Sequence, residues 1–129
     1  MVTRALADTS VFIANETGRS LRMEAIPDEI AVSIITIAEL RAGVLAAVDV
    51  TTRDRRLSTL VRALDLQPIP IDEAVAESWA RLRILLRDSG LRMPVNDSWI
   101  AATAITIGIP VMTQDDDYVD LPELPVIRV

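Results

Sequence analysis

The chain predicts a single-domain α/β fold, a three-layer α/β/α sandwich on a mainly parallel sheet, with residues 1–129 forming one unit. Three observations carry this. Short apolar runs, many of them β-branched, alternate with stretches of helical period. Capping and turn residues stand between the two kinds of segment. Half of the 129 residues are hydrophobic (50%), which is enough for one real core.

Ala5-Leu6-Ala7 reads as a first buried strand, and Thr9 or Ser10 can cap the helix announced by Val11, Phe12, Ile13 and Ala14. Glu16-Thr17-Gly18 closes that helix. After a turn at Pro27 and Asp28, Ile30-Ala31-Val32-Ser33-Ile34-Ile35 predicts a strand buried on both faces. A helix beginning near Thr36 follows, with Ile37, Leu40, Val44 and Val48 on one face and Glu39 in its first turns. Thr51 or Thr52 opens the next helix, through Leu57, Leu60, Val61 and Leu64. The segment Leu66 to Ile71 carries two prolines, so it is expected as an edge strand. Asp72 caps an amphipathic helix with Val75, Trp79, Leu82 and Leu86 as its apolar stripe, and Gly90 stops it. Both tryptophans are assigned to the core. Asn96 or Asp97 starts a nearly charge-free helix, Trp99 to Ile107, that must be covered on most sides and ends at Gly108. Pro110 to Thr113 is a strand, Gln114 to Tyr118 a loop and Pro125 to Val129 a last strand.

What is absent narrows the chemistry. The chain has no His and no Cys, and all 13 of its basic residues are Arg. Disulfides, thiolate or imidazole zinc sites, His-dependent triads and lysine-based phosphate loops are therefore excluded. Any catalysis must run on carboxylates, hydroxyls, Arg and a hard cation. The net charge of −6 excludes attraction to nucleic acid or an anionic membrane by bulk charge. The longest uncharged stretch, Ser98 to Gln114, is interrupted by Gly108 and Pro110 and is too short to span a bilayer. With no apolar leader before Asp8, a cytoplasmic protein is expected.

Four acids stand where a parallel sheet gathers its site, beyond the carboxyl ends of the strands: Asp8, Glu39, Asp97 and Asp115. They are far apart in sequence, so only the fold can assemble them. Carboxylates forced together either raise their pKa values or recruit a cation, and Mg²⁺ or Mn²⁺ suits an all-oxygen set. Each acid also has a plainer explanation. Asp8 and Asp97 can be helix caps, Asp115-Asp116-Asp117 can be a solvated turn, and Glu39, in an apolar stretch, is the least easily dismissed.

Asp8-Thr9-Ser10, Ser33 to Leu40, Asn96-Asp97 and Thr113 to Tyr118 together resemble the motifs of PIN-domain ribonucleases, most closely the VapC toxins of VapBC toxin-antitoxin modules. The resemblance spans essentially the whole chain. It implies a Mg²⁺- or Mn²⁺-dependent endoribonuclease in which a metal-activated water hydrolyses RNA. Asp8 and Asp97 would be the firmest ligands, with Glu39 and Asp115 completing the cluster and Ser10 and Thr113 as supporting hydroxyls. Asp117 also matches an acidic family position. A VapB-like antitoxin, a toxin homodimer and a toxin-antitoxin hetero-oligomer are implied as well.

RNA backbone could be met by Arg53, Arg55 and Arg56, or by Arg81, Arg83, Arg87 and Arg92, although either cluster could equally be the wet face of a helix. The alternative reading is a non-catalytic PIN-fold module that binds RNA or protein. A phosphoacceptor receiver or aspartate-nucleophile phosphatase is disfavoured, since those chemistries place a Lys beside the phosphate.

Overall fold

The computed structural model describes residues 2–129. Four parallel strands, β1 (Arg4–Ala7), β2 (Glu29–Ala31), β3 (Val111–Thr113) and β4 (Val126–Arg128), form one sheet in the order β2-β1-β3-β4. Five α-helices surround it: α1 (Thr9–Thr17), α2 (Ile34–Ala46), α3 (Val50–Leu64), α4 (Glu73–Asp88) and α5 (Val95–Ile107). A short 3-10 turn at Met23–Ala25, which the sequence did not announce, precedes β2.

Strand alternation builds the layers. Leu6 and Val111 face the α4–α5 layer, where Leu82, Leu86, Ile100, Ala101, Ala104 and Leu124 close the larger core. Ala5, Ala7 and Met112 face the other way, against Val11 and Phe12 of α1. A third cluster, Ile37, Leu40, Leu60 and Ala63, joins α2 to α3 and reaches α1 through Phe12. The predicted three-layer parallel architecture is therefore the observed one. Helix α5 is apolar all round because it meets α4, α2, β1 and β3.

Helix starts follow side-chain capping. Asp8, Ser33, Asp49 and Asp72 each accept from a backbone N–H in the first turn of α1, α2, α3 and α4 respectively. Asp8, not Thr9 or Ser10, therefore caps α1, and α3 opens from Asp49 rather than at Thr51 or Thr52. Further local readings change. The second strand ends at Ala31, and Ile34 and Ile35 belong to α2, because the Ser33 hydroxyl accepts from Ile35 N at 3.0 Å and turns the chain there. Helix α2 stops at Ala46, so Val48 lies beyond it and is 96% exposed. The segment Leu66 to Ile71 forms only an isolated bridge between Ile69 and Ser33, since its prolines deny it a ladder.

The tryptophans also depart from expectation. They stack on each other at the α4–α5 contact, with centroids 4.3 Å apart and planes 4° from parallel, and both remain half-buried. Trp79 Nε1 donates to Ser98 Oγ at 2.9 Å, and the Arg83 guanidinium lies over the Trp79 ring.

Ile100 is fully buried where α5 meets the sheet. Ile100→Ala should lower the unfolding free energy by about 3 kcal/mol in urea titration, as expected for deleting a core side chain that cannot be backfilled.

Candidate active site

Strand order creates the site. β1 is flanked by β2 on one side and β3 on the other, so the chain departs in opposite directions from neighbouring carboxyl ends and leaves a crevice there. A cleft of about 420 Å³ opens at this edge, lined by Asp8, Thr9, Ser10, Ile13, Arg19, Glu39, Pro94, Asn96, Asp97, Asp115 and Asp117.

Asp8 follows β1 directly and is buried. Its backbone N–H donates to Met112 O at 3.0 Å, which ties it to β3. One carboxylate oxygen, Oδ1, accepts from Ser10 N at 3.0 Å and from Ser10 Oγ at 2.5 Å, and Oδ2 accepts from Thr113 Oγ1 at 2.8 Å. Asp8 is thus a helix cap and a cleft acid at once. Ser10 Oγ in turn accepts from Gln114 N, and Thr113 Oγ1 from Asp115 N, both at 2.9 Å, which fixes the loop after β3 to the same two hydroxyls.

Glu39 stands in the second turn of α2 and is half-buried. Its Oε1 accepts from Thr9 Oγ1 at 2.6 Å, and Thr9 is also bonded to Thr36 Oγ1 at 3.0 Å. Asp97 is not a cap. Helix α5 starts after Pro94, whose carbonyl accepts from Ser98 N, so Asp97 falls inside the first turn with its side chain available to the cleft. Of the three consecutive acids, Asp115 and Asp117 line the cleft, whereas exposed Asp116 pairs with Arg128. Arg128 Nη1 also donates to Asp115 O at 2.8 Å and so holds the loop in register.

The electrostatics record crowding. Burial, and then the charges of Asp8, Asp117, Glu39 and Asp115, push the Asp97 carboxyl up from its ordinary 3.8 to about 7. Burial also raises Asp8, against the lowering effect of its bonds from Ser10 and Thr113. Asp115 is raised by burial and by Asp117, with Arg19 opposing.

Neither arginine cluster singled out in the sequence lines this cleft. Arg55 pairs with Glu16 at 3.7 Å, Arg53 and Arg56 donate to the carbonyls of Ala47 and Gly43, and Arg81 and Arg87 pair with Glu77 and Asp88. The cation that does line it is Arg19, just past the end of α1, with Nη1 at 3.5 Å from Gln114 Oε1. No periodicity marks that position. Arg55 and Arg56 border a neighbouring groove of about 270 Å³ that shares Ile13 and Glu39 with the cleft.

The donor chemistry fits a hard cation, since every candidate ligand atom is oxygen and positive charge would relieve the repulsion. As the side chains stand, no three acidic groups among the described residues are arranged to hold one ion. Mg²⁺ does not require three, because it takes one or two carboxylates and keeps several waters.

Fold and site together define a PIN domain: the PIN family model matches residues 5–124, and the chain belongs to that family. Among its relatives, Ribonuclease VapC5 of Mycobacterium tuberculosis is 52% identical over 88% of this chain and 84% of its own length. Ribonuclease VapC4 of the same organism is 50% identical over 99% of this chain and 98% of its own. The crystal structure of VapBC-5, a toxin-antitoxin system from M. tuberculosis, contains a chain that superposes with a TM-score of 0.90 at 45% identity, covering 98% of this chain and 99% of that one. No helix of the described residues is long and apolar enough to cross a membrane.

The raised Asp97 pKa has a stability consequence. Its carboxyl binds protons more tightly folded than unfolded, so this group's contribution is fully present below about pH 4 and is lost as pH rises through about 7. Asp97→Asn should therefore stabilise the metal-free protein at pH 8 and leave it nearly unchanged at pH 4. The gain, discounted for the group's partial exposure, is about 1–2 kcal/mol. Thermal unfolding across that range measures it.

Proposed function

We propose that this chain is a divalent-cation-dependent endoribonuclease, the toxin of a cytoplasmic toxin-antitoxin pair, with residues 1–129 as its single nuclease domain. The observation that carries this reading is the convergence of Asp8, Glu39, Asp97 and Asp115, from four separate elements, on one cleft in which burial first, and then crowding, pushes Asp97 up to about 7. Relatives at 50–52% identity that are named ribonucleases supply the reaction class.

In this reading Asp8 and Asp97 are the principal ligands of Mg²⁺ or Mn²⁺, and Glu39 and Asp115 complete the cluster directly or through water. The ion supplies, when bound, acidification of water and neutralisation of charge developing on the phosphodiester. The protein's part is positional. Ser10 and Thr113 aim both oxygens of Asp8, and Thr9 fixes Glu39. Below its pKa Asp97 holds a proton that must leave before it can act as a ligand. Arg19 faces the same space and can donate to a phosphate oxygen while Gln114 steadies it, with Arg55 and Arg56 in the adjoining groove as a path for RNA backbone.

An acidic cleft of this kind also suits a basic segment of a VapB-like antitoxin, which would block it by occupying the place of cation and substrate. The likeness to the VapBC-5 toxin-antitoxin system supports an antitoxin partner for this chain, and a toxin homodimer within the hetero-oligomer is part of the same proposal.

Calorimetric titration of Mn²⁺ into antitoxin-free protein tests the cluster without knowledge of the RNA. Binding should vanish in Asp8→Asn and Asp97→Asn, and both variants, still folded by circular dichroism, should lose RNA cleavage. A folded Asp97→Asn that cleaves at the wild-type rate refutes the assignment, and RNA binding indifferent to chelator, without cleavage, would establish the non-catalytic alternative. For the RNA that the wild type cleaves, Arg19→Ala should raise KM about tenfold, the usual cost of one charge-assisted phosphate contact. An unchanged KM removes Arg19 from the substrate path.

A further inference from the structure

A groove of about 270 Å³ adjoins the acidic cleft and shares Ile13 and Glu39 with it. Helices α1, α2 and α3 form its walls, with Ile13 and Leu40 as apolar sides. It also holds an acid that the cation cluster does not use. Glu16, in the last turn of α1, leaves only 7% of its side chain exposed. Arg55, on α3, keeps Nε 3.7 Å from Glu16 Oε2, which is an ion pair but beyond hydrogen-bond length. The pair therefore leaves the carboxylate oxygens able to accept and the guanidinium able to donate. A carboxylate this enclosed normally has close donors, and one that lines a groove offers its oxygens to whatever enters.

Gly43 is an independent observation on the same groove. It lies within the last turn of α2, ahead of the cap at Ala47, and glycine in that place weakens a helix. Packing does not ask for it, because a Cβ there would make only an ordinary contact, 3.8 Å from Arg56 Cδ. What glycine does provide is bare helix backbone on the groove wall, against which a flat ring can lie. No aromatic side chain lines the groove, so stacking on an aromatic cannot choose what binds there. The choice falls to the polar edge of the ligand.

We propose that this groove is a base-recognition subsite for a guanine of the RNA strand, read by Glu16 and Arg55. On its Watson–Crick edge guanine presents an acceptor, O6, followed by two donors, N1–H and N2–H. Arg55 and the two oxygens of Glu16 present the complement, a donor followed by two acceptors. No other base matches. Uracil sets a carbonyl against the second carboxylate oxygen, and adenine and cytosine each place a ring-nitrogen acceptor where the carboxylate needs a donor. Arg56, anchored through Nη1 on Gly43 O at 2.7 Å, keeps its other nitrogens for backbone phosphate. Because the groove adjoins the cleft, the base it takes belongs to a nucleotide close to the bond that is cut. This inference rests on the reading of the cleft as a ribonuclease site and adds which base the strand carries beside it.

Random-sequence RNA incubated with the wild-type protein and Mn²⁺, followed by sequencing of the ends produced, tests this without knowledge of the natural RNA. Guanine should be enriched at one fixed position relative to the cut. Glu16→Gln, which exchanges one acceptor for a donor, should lower that enrichment about tenfold while cutting continues, the usual weight of a bidentate base contact. Gly43→Ala, whose methyl group covers the bare wall, should also weaken the enrichment, with an unfolding midpoint at or above the wild type. A glycine that served the fold alone would lower the midpoint and leave the enrichment as it was. Cutting with no base preferred, or a guanine preference that Glu16→Gln leaves unchanged, overturns the subsite and leaves the ribonuclease standing. So does an unchanged preference in variants that no longer hold a co-expressed antitoxin, which would give the groove to the protein partner. Cutting that persists in Asp97→Asn, or a pool that the wild type leaves intact, removes the ribonuclease reading and the inference with it.

Discussion

Like charge held at the carboxyl edge of a parallel sheet is the constraint on which this structure turns. Asp8, Glu39, Asp97, Asp115 and Asp117 share one cleft, and two of its walls are apolar helices that cannot screen them. Such a cluster survives folding only if its charges are hydrogen-bonded, partly protonated or neutralised from outside. The first remedy is visible in the hydrogen bonds, and the raised Asp97 pKa points to the second. Hydroxyls of Thr9, Ser10 and Thr113 hold Glu39 and Asp8, and Asp97, which has no hydroxyl partner among the described residues, carries the large upward shift. The same three hydroxyls also tie α1 to α2 and to the loop after β3. Site and scaffold are therefore one network, and the alignment of α1 over the sheet depends on the groups that aim the acids.

The layers were legible in the sequence because they follow from periodicity. The apolar run Ala5-Leu6-Ala7 marks a strand covered on both faces, the stripe Val75, Leu82 and Leu86 marks the covered side of its helix, and burial of those residues bears this out. The boundaries that failed did so where one side chain outweighs a pattern. Ile34 and Ile35 continue a β-branched run, yet a single cap at Ser33 makes them helical. Helix α5 begins at Val95, one residue before Asn96, the first residue that could cap it with a side chain, and Asp97 is released to the cleft. Capping chemistry was read correctly at Asp72 and passed over at Asp49, which stood outside the periodic stretch that drew attention.

The gathering of the four acids was legible only through topology, since nothing local relates Asp8 to Asp97. Any parallel α/β reading places strand ends at one edge, and the order β2-β1-β3-β4 then sets β1 and β3 side by side beneath the crevice. Arg19 was illegible for a different reason. Arg19 stands in a polar turn whose direction depends on the αL conformation at Gly18, with φ of 75°, and the helical wheel of α1 says nothing about residues beyond it.

Asp8 shows why the structural and chemical explanations of a residue need not compete. A cap must be an acceptor held close to the first free N–H groups of a helix, and that position also carries the positive end of the helix dipole. Both properties favour a carboxylate there, in a place too buried for one to persist otherwise. Capping α1 therefore gives the fold a local reason to keep an ionisable group at the strand end, while Thr113, on the neighbouring strand, supplies the second anchor. Replacing the cap by another acceptor such as Asn would preserve the helix start and remove the charge. Cap and charge can thus be separated at Asp8, although the same atoms carry both.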